Sequence, residues 1–181
     1  MRFAFTDRVL ELEPGVKITT VKALLMAEEY LADHFPRFPV MPGVLMLEAM
    51  TQAGAWLVRV SEDFAHSIVV LKEARNVKYA DFVQPGQVLH VTAEITKQDE
   101  RETQLKAQGT VDGKLAVIGR LVLERFNLAD QQPDLAPTDE YLKQHLRDQL
   151  ATLYRPEPEA ARVNNSPVPA ATPLHVAESA G

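Results

Sequence analysis

Hydrophobic and polar positions change period several times along the chain. Residues 2 to 12 alternate loosely and end at Glu13-Pro14-Gly15, a turn signal, and Val16 to Leu25 is rich in β-branched residues, which predicts an opening hairpin. Ala27 to Ala32 suits a short helix. Val44 to Val60 contains no proline and is dense in leucine, methionine and alanine, so a helix is expected to start at Gly43. On a 3.6-residue period its apolar residues cover almost the whole surface, the mark of a helix buried on all sides. It is about a turn too short, and too polar, for a membrane span. Beyond it, Ser67 to Leu71 reads as a short apolar strand, Lys72 to Val83 as an irregular edge segment and Gln84-Pro85-Gly86-Gln87 as a turn. Three strands follow, Val88 to Lys97, Glu102 to Val111 and Leu115 to Phe126, with an Asp112-Gly113 hairpin turn between the last two. Long antiparallel strands around one buried helix predict an α+β fold.

From about Asn127 the composition shifts. Gln131 to Pro137 reads as a polar linker, and Thr138-Asp139-Glu140 as an N-cap opening a helix that reaches roughly Tyr154. Its stripe of Tyr141, Leu142, His145, Leu146, Gln149, Leu150 and Leu153 can dock on the core or on a partner subunit. Residues 155 to 181, rich in proline and alanine, are expected to be a disordered tail, and the Asn164-Asn165-Ser166 triplet within it carries no weight without secretion. The expected division is therefore 1–127, the main domain, 128–154, a linker and C-terminal helix, and 155–181, the tail.

Composition narrows the function classes. With 181 residues, 46% hydrophobic and 24% charged, the chain can form one ordinary soluble domain. The absence of cysteine excludes disulfides, thiolate metal sites and a cysteine nucleophile. His34, His66, His90, His145 and His175 lack metal-ligand spacings, so neither a metal nor another cofactor is expected. A formal net charge of −6 argues against nucleic-acid binding through a general basic field. Arg2, Asp7 and Arg8 interrupt the first apolar residues, which leaves no signal-type segment, and a cytoplasmic location is expected.

The candidate chemistry lies between residues 34 and 60. Pro36, Pro39 and Pro42 recur at every third position and enforce a stiff, extended loop with His34 at its head and Gly43 at its end. In the helix that follows, Glu48, Thr51 and Gln52 form one narrow polar stripe, with Arg59 near the far end. Desolvation disfavours a charged carboxylate and moves such a group from spectator anion towards proton donor. Alone, His34 reads more readily as structural, and Glu48 could equally pair with Arg59 or cap backbone. Together with the free N–H groups of a helix N-terminus they form a coherent set. His34 as base, the Gly43 N–H as oxyanion donor and Glu48 as acid suit proton abstraction next to a carbonyl, and eliminating water from a 3-hydroxyacyl thioester needs all three.

The stretch His34-Phe35-Pro36-x-x-Pro39-Val40-Met41-Pro42-Gly43-Val44-Leu45-x-x-Glu48-Ala49-x-x-Gln52 resembles the signature of the 3-hydroxyacyl-[acyl-carrier-protein] dehydratases of bacterial type II fatty acid synthesis, the FabZ type. The resemblance implies a hot-dog fold, a long central helix wrapped by a curled antiparallel sheet. It also implies a homodimer or trimer of dimers whose sites take the histidine from one subunit and the acidic residue from the other. His34 is then the base at C2, Glu48 the acid on the departing hydroxyl, and Gly43 the donor to the thioester carbonyl, with Phe38, Val40, Met41, Pro42 and Gln52 contacting substrate. Glu48, where the isomerising sister enzyme has aspartate, favours plain dehydration of a (3R)-3-hydroxyacyl group to the trans-2-enoyl product, in fatty acid biosynthesis or a related lipid pathway. Since the family's carrier protein is acidic, docking needs a local basic patch, for which Arg37, Lys72, Arg75 and Lys78 are the candidates.

The chain departs from the family pattern at Asp33, at Arg37-Phe38 and at Tyr79-Ala80-Asp81-Phe82. Asp33 is placed to orient His34, and Phe38 adds bulk. Two other readings share these residues: a hot-dog acyl thioesterase, in which the acidic residue activates water, and a non-catalytic acyl-thioester binding protein.

Overall fold

The computed structural model describes residues 4–155, so the expected tail beyond Arg155, with the Asn164 triplet, lies outside the described residues. The opening hairpin forms from β1 (Arg8–Glu13) and β2 (Lys17–Ala23), and a 3-10 turn (Glu29–Leu31) stands where a short helix is expected. Then come α1 (Gly43–Ser61), β3 (Ile68–Tyr79), β4 (Val88–Gln98), β5 (Glu102–Val111) and β6 (Lys114–Phe126). Two further 3-10 turns, Leu128–Asp130 and Pro133–Leu135, lead into α2 (Ala136–Leu153). The six strands form one sheet in the order β1-β2-β4-β5-β6-β3, antiparallel throughout. The sheet curls around α1, which gives the hot-dog arrangement. No helix among the described residues is long and apolar enough to cross a membrane.

The sheet holds α1 at close range. Met46, Ala49, Met50, Ala53, Leu57 and Val58 are buried with Leu89, Leu105, Leu121 and Leu123 of the strands in one core. At Gly54 the approach is tight, since an added Cβ would sit 3.2 Å from a Leu123 methyl and 3.4 Å from one of Leu105. The expectation of a helix buried on all sides is corrected at the N-terminal turns: Val44 is 67% exposed, and Glu48 and Gln52 are half-buried. One curled sheet encloses a helix only from the side it faces.

Three further expectations change. Lys72 to Tyr79 is not irregular but continues β3, paired with β6 through register shifts between Leu71 and Glu73 and between Arg75 and Lys78. At a sheet edge with one face in solvent, charges do not interrupt pairing, and bulges absorb the mismatch. The polar linker is partly ordered as 3-10 turns, and α2 starts at Ala136, with Leu135 in the N-cap position and no side-chain cap bond. Tyr141 is 68% exposed and stacks on His145 instead of docking, while Leu146, Leu150 and Leu153 pack on the core.

Asp139 acts elsewhere than as a cap of its own helix. Its carboxylate, 2% exposed, accepts hydrogen bonds from the Leu128 N–H at 2.9 Å, the Ala129 N–H at 2.9 Å and the Ser67 hydroxyl. Arg147 donates to Asp63 O at 2.7 Å, and Tyr154 bridges to Val9 on β1, so α2 is fastened to the core at three places. Burial pushes the Asp139 carboxyl up, but the Ser67 hydroxyl and the two N–H groups outweigh it and hold it below the usual carboxylate range. A depressed folded value stabilises above the unfolded pKa and is lost as pH falls through the folded one. Asp139→Asn is therefore expected to cost about 1–3 kcal/mol at neutral pH. Thermal unfolding should show the gap to wild type closing as the solution is acidified below the carboxylate range.

Candidate active site

The loop that carries His34 is closed by its own backbone. His34 N–H donates to Tyr30 O at 3.1 Å, Val40 N–H donates to His34 O at 3.1 Å, and Phe35 and Phe38 exchange N–H···O bonds at 3.2 and 2.9 Å. Val40 and Met41 are buried anchors, and Met41 N–H donates to Val83 O at 2.9 Å, tying the loop to the segment after β3. The half-buried His34 ring stacks on Phe35 with centroids 4.2 Å apart. Its Nδ1 lies 3.1 Å from Val40 O. A carbonyl only accepts, so Nδ1 carries the hydrogen and Nε2 keeps the lone pair. Asp33 is exposed and, among the described residues, makes no hydrogen bond to His34; the Val40 carbonyl orients the ring instead.

Pro42 sits at the N-cap of α1, and its carbonyl accepts the N–H groups of Leu45 at 2.9 Å and Met46 at 3.3 Å. The N–H groups of Gly43 and Val44 have no acceptor within the helix and carry the positive end of its dipole. The Tyr79 ring lies so close to Gly43 that an added Cβ would meet Cε1 at 3.1 Å. Phe38, 45% exposed, packs edge-on against Phe82 at 5.6 Å.

One turn into α1, Glu48 is held by a side-chain relay. Gln52 Nε2 donates to Glu48 Oε1 at 2.8 Å, and Gln52 Oε1 accepts the Phe5 N–H at 2.8 Å, which fixes which way the amide faces. Thr51 of the same stripe turns its hydroxyl back to Leu47 O at 3.0 Å. Among the described residues no hydrogen bond joins Glu48 to His34 or to Arg59.

A cavity of about 470 Å³ runs beside this relay, with Glu48, Gln52, Trp56 and Arg59 from α1, Val69 to Leu71 from β3, and Leu146, Gln149 and Leu153 from α2. Gln52 is the one predicted substrate-contacting residue among them; Phe38, Val40, Met41 and Pro42 belong to the loop and do not line this cavity. The α2 wall was not legible in the sequence, which showed only an apolar stripe. Arg59 stacks over Trp56 at 5.5 Å, and burial pushes its guanidinium down to about 10. Arg37, Lys72, Arg75 and Lys78 are all exposed. Lys72 pairs with Glu102 at 2.5 Å and Arg75 with Glu73 at 2.5 Å, while Arg37 and Lys78 make no ion pair among the described residues. No group of three or more His, Asp or Glu side chains converges to hold a metal among the described residues.

A family model described as a FabA-like domain matches residues 1–123. The 3-hydroxyacyl-[acyl-carrier-protein] dehydratase FabZ of Ruminiclostridium cellulolyticum is 40% identical over 119 residues, 66% of this chain and 84% of that protein. The FabZ of Dechloromonas aromatica is 38% identical over 132 residues, 70% of this chain and 90% of its own. Among solved structures, the dehydratase heterocomplex ApeI:P from Xenorhabdus doucetiae superposes with a TM-score of 0.60 at 18% identity, covering 74% of this chain and 90% of that one. The TT0310 protein from Thermus thermophilus superposes with a TM-score of 0.52, also at 18% identity, over 66% of this chain and 91% of that one. These two likenesses are of fold alone.

Gln52→Leu removes both the acceptor of the Phe5 N–H and the donor to Glu48. It is expected to cost about 1–3 kcal/mol, against less than about 0.5 for the exposed Lys78→Ala. Denaturant unfolding of the two variants checks this, and equal stabilities would mean that the relay does not hold in solution.

Proposed function

The chain belongs to the FabA-like family, among the FabZ-type 3-hydroxyacyl-[acyl-carrier-protein] dehydratases, and from that premise we propose that His34, Glu48 and the Gly43 N–H carry out the reaction. The enzyme is a hydro-lyase that removes water from 3-hydroxyacyl groups on acyl carrier protein in fatty acid biosynthesis. On our reading the substrate is the (3R) isomer and the product the trans-2-enoyl thioester.

The contact that carries the assignment is His34 Nδ1 against Val40 O. It leaves Nε2 as a proton acceptor on a ring held by the Val40 carbonyl and stacked on the Phe35 ring. The C2 proton passes to Nε2 as the C2–H electron pair forms the new double bond, and the negative charge growing on the thioester oxygen is met by the Gly43 N–H. The C3–O bond breaks, and Glu48 supplies the proton with which the hydroxyl leaves as water. Glu48 ends as a carboxylate and His34 as an imidazolium, so one proton must return from His34 to Glu48 through solvent or substrate before the next turnover. The Gln52 amide supports this role by occupying Oε1, which leaves Oε2 for the hydroxyl.

The acid and the base belong to different subunits in this reading. Its support is the absence of a His34–Glu48 bond within one chain, the free edge of β3, and the exposed Phe35, Phe38, Val44, Val70 and Phe82 around the loop and edge. A homodimer, alone or in a trimer of dimers, covers those residues and completes two sites, with Phe38, Val40, Met41 and Pro42 shaping the entrance. Arg37 and Lys78 are the free cations best placed to meet an acidic carrier, with Lys72 and Arg75 behind them, in a cytoplasmic enzyme. Residues 1–127 carry the reaction and 128–154 buttress it.

Hydration of crotonyl-[acyl-carrier-protein], the reverse reaction, is expected to fall ~100 to 10,000-fold in both His34→Ala and Glu48→Gln. Neither variant should release free thiol, and either one retaining near wild-type turnover contradicts the assignment. Arg37→Glu with Lys78→Glu should raise KM for the carrier-bound substrate several-fold more than for the same acyl group on N-acetylcysteamine. Equal effects on the two substrates would remove these residues from the docking surface.

A further inference from the structure

Among the described residues, Arg59 is a charge without a counter-charge. Its Nε is buried with no hydrogen-bond partner, and among the described residues its guanidinium makes no ion pair and no hydrogen bond. Its neighbour is the Trp56 ring at 5.5 Å, whose face attracts a cation but accepts none of the five N–H donors in their plane. Burial without a carboxylate lowers the proton affinity of the group, yet at about 10 it stays charged at neutral pH. Arg59 as a whole is half-buried, and its fork of donors, unpaired among the described residues on a wall shared with Glu48, Gln52 and Gln149, is placed to meet an acceptor.

The position of that fork relates it to the reaction. Glu48 and Arg59 are the two charged side chains on the cavity wall, eleven residues apart on one helix. Eleven residues make three turns and about 20°, so both lie on the same face, with Arg59 about 16 Å further along the axis at 1.5 Å per residue. Between them the wall is Gln52, Ala55 and Trp56, and opposite are Val69 and Leu71. Leu146, Gln149 and Leu153 of α2, which lie beyond the 1–123 stretch shared with the family, complete the lining.

We propose that this cavity takes the acyl chain with its reacting end at Glu48, and that Arg59 selects chains whose distal end carries a carboxylate or another hydrogen-bond acceptor over chains that end in methyl. The inference rests on the dehydratase reading above and extends it to the class of substrate. A methyl terminus would leave the half-buried guanidinium unpaired, whereas a terminal carboxylate matches its fork with two parallel N–H···O bonds. The reach suits acyl chains on the order of ten carbons, from the ~16 Å rise between the two residues.

The test compares trans-2-enoyl thioesters of about ten to twelve carbons, ending in methyl or in carboxylate, for hydration by wild type, Arg59→Met and Arg59→Lys. Wild type is expected to favour the carboxylate end roughly tenfold in kcat/KM, as for a charge-assisted hydrogen bond at a half-buried site. Arg59→Met should reverse the preference, and Arg59→Lys should restore part of it. The preference is a ratio within one protein, so a loss of folded enzyme does not mimic it. Wild-type turnover of crotonyl thioester, too short to reach Arg59, together with equal or methyl-favouring kcat/KM for the long pair, overturns the inference and leaves the dehydratase reading intact. Failure on crotonyl thioester overturns that reading itself. The inference is then judged by calorimetric binding of the two saturated thioesters, where equal Kd values contradict it. An Arg59→Met enzyme with unchanged selectivity and a weakened dimer would show that a second copy supplies the acceptor, which also overturns it.

Discussion

The close approach of α1 to the sheet at Gly54 sets the rotation of the helix about its axis, and the chemistry of the site depends on that rotation. At 100° per residue, Met46, Met50, Ala53 and Leu57 fall on the side that meets the strands, and all are buried. Glu48, Gln52, Ala55 and Arg59 then fall within about 60° of one another on the opposite side. An added Cβ at position 54 would meet the methyls of Leu123 and Leu105 at 3.2 and 3.4 Å, so these side chains would have to give by a few tenths of an ångström. Tight packing thus sets the face on which the polar residues lie, and the relay from the Phe5 N–H through Gln52 then fixes Glu48 on that face.

The loop before α1 is fixed by the other kind of constraint, backbone hydrogen bonding. Three prolines narrow its conformations, reciprocal bonds between Phe35 and Phe38 close it, and Val40 and Met41 anchor it in the core. Val40 then uses both of its backbone groups on His34: its N–H on the main chain and its carbonyl on the ring. Helix and loop meet at Pro42 and Gly43, where the N–H groups of Gly43 and Val44 have no acceptor among the described residues. In the proposed mechanism the base, the oxyanion donor and the acid therefore come from three rigid sources, which keeps the reorganisation required during the reaction small.

Much of this was legible in the sequence. The helix start at Gly43, the turns at Pro85-Gly86 and Asp112-Gly113 and the last three strands were marked by proline, glycine and β-branched residues, whose effects are local. So was the narrow stripe of Glu48, Thr51 and Gln52. What escaped depends on distant partners. The continuation of β3 through Lys72 to Tyr79 requires β6 beside it, and the burial of Asp139 requires Ser67, 72 residues away. Asp33 drew attention because it adjoins His34 in sequence, but the ring is held by a carbonyl six residues on. Arg59 read as a partner for Glu48 on the same face, and eleven residues of helix keep them apart.

The central claim is that His34 and Glu48 meet across two subunits, and complementation between inactive chains tests it most directly. His34→Ala and Glu48→Gln chains, unfolded together and refolded, form heterodimers in which one site has lost both residues and the other keeps both. Random pairing makes half of the dimers mixed, so hydration of crotonyl-[acyl-carrier-protein] is expected to recover to about a quarter of the wild-type rate. Recovery no greater than the sum of the two separate variants would place the acid and the base within one chain and contradict the account.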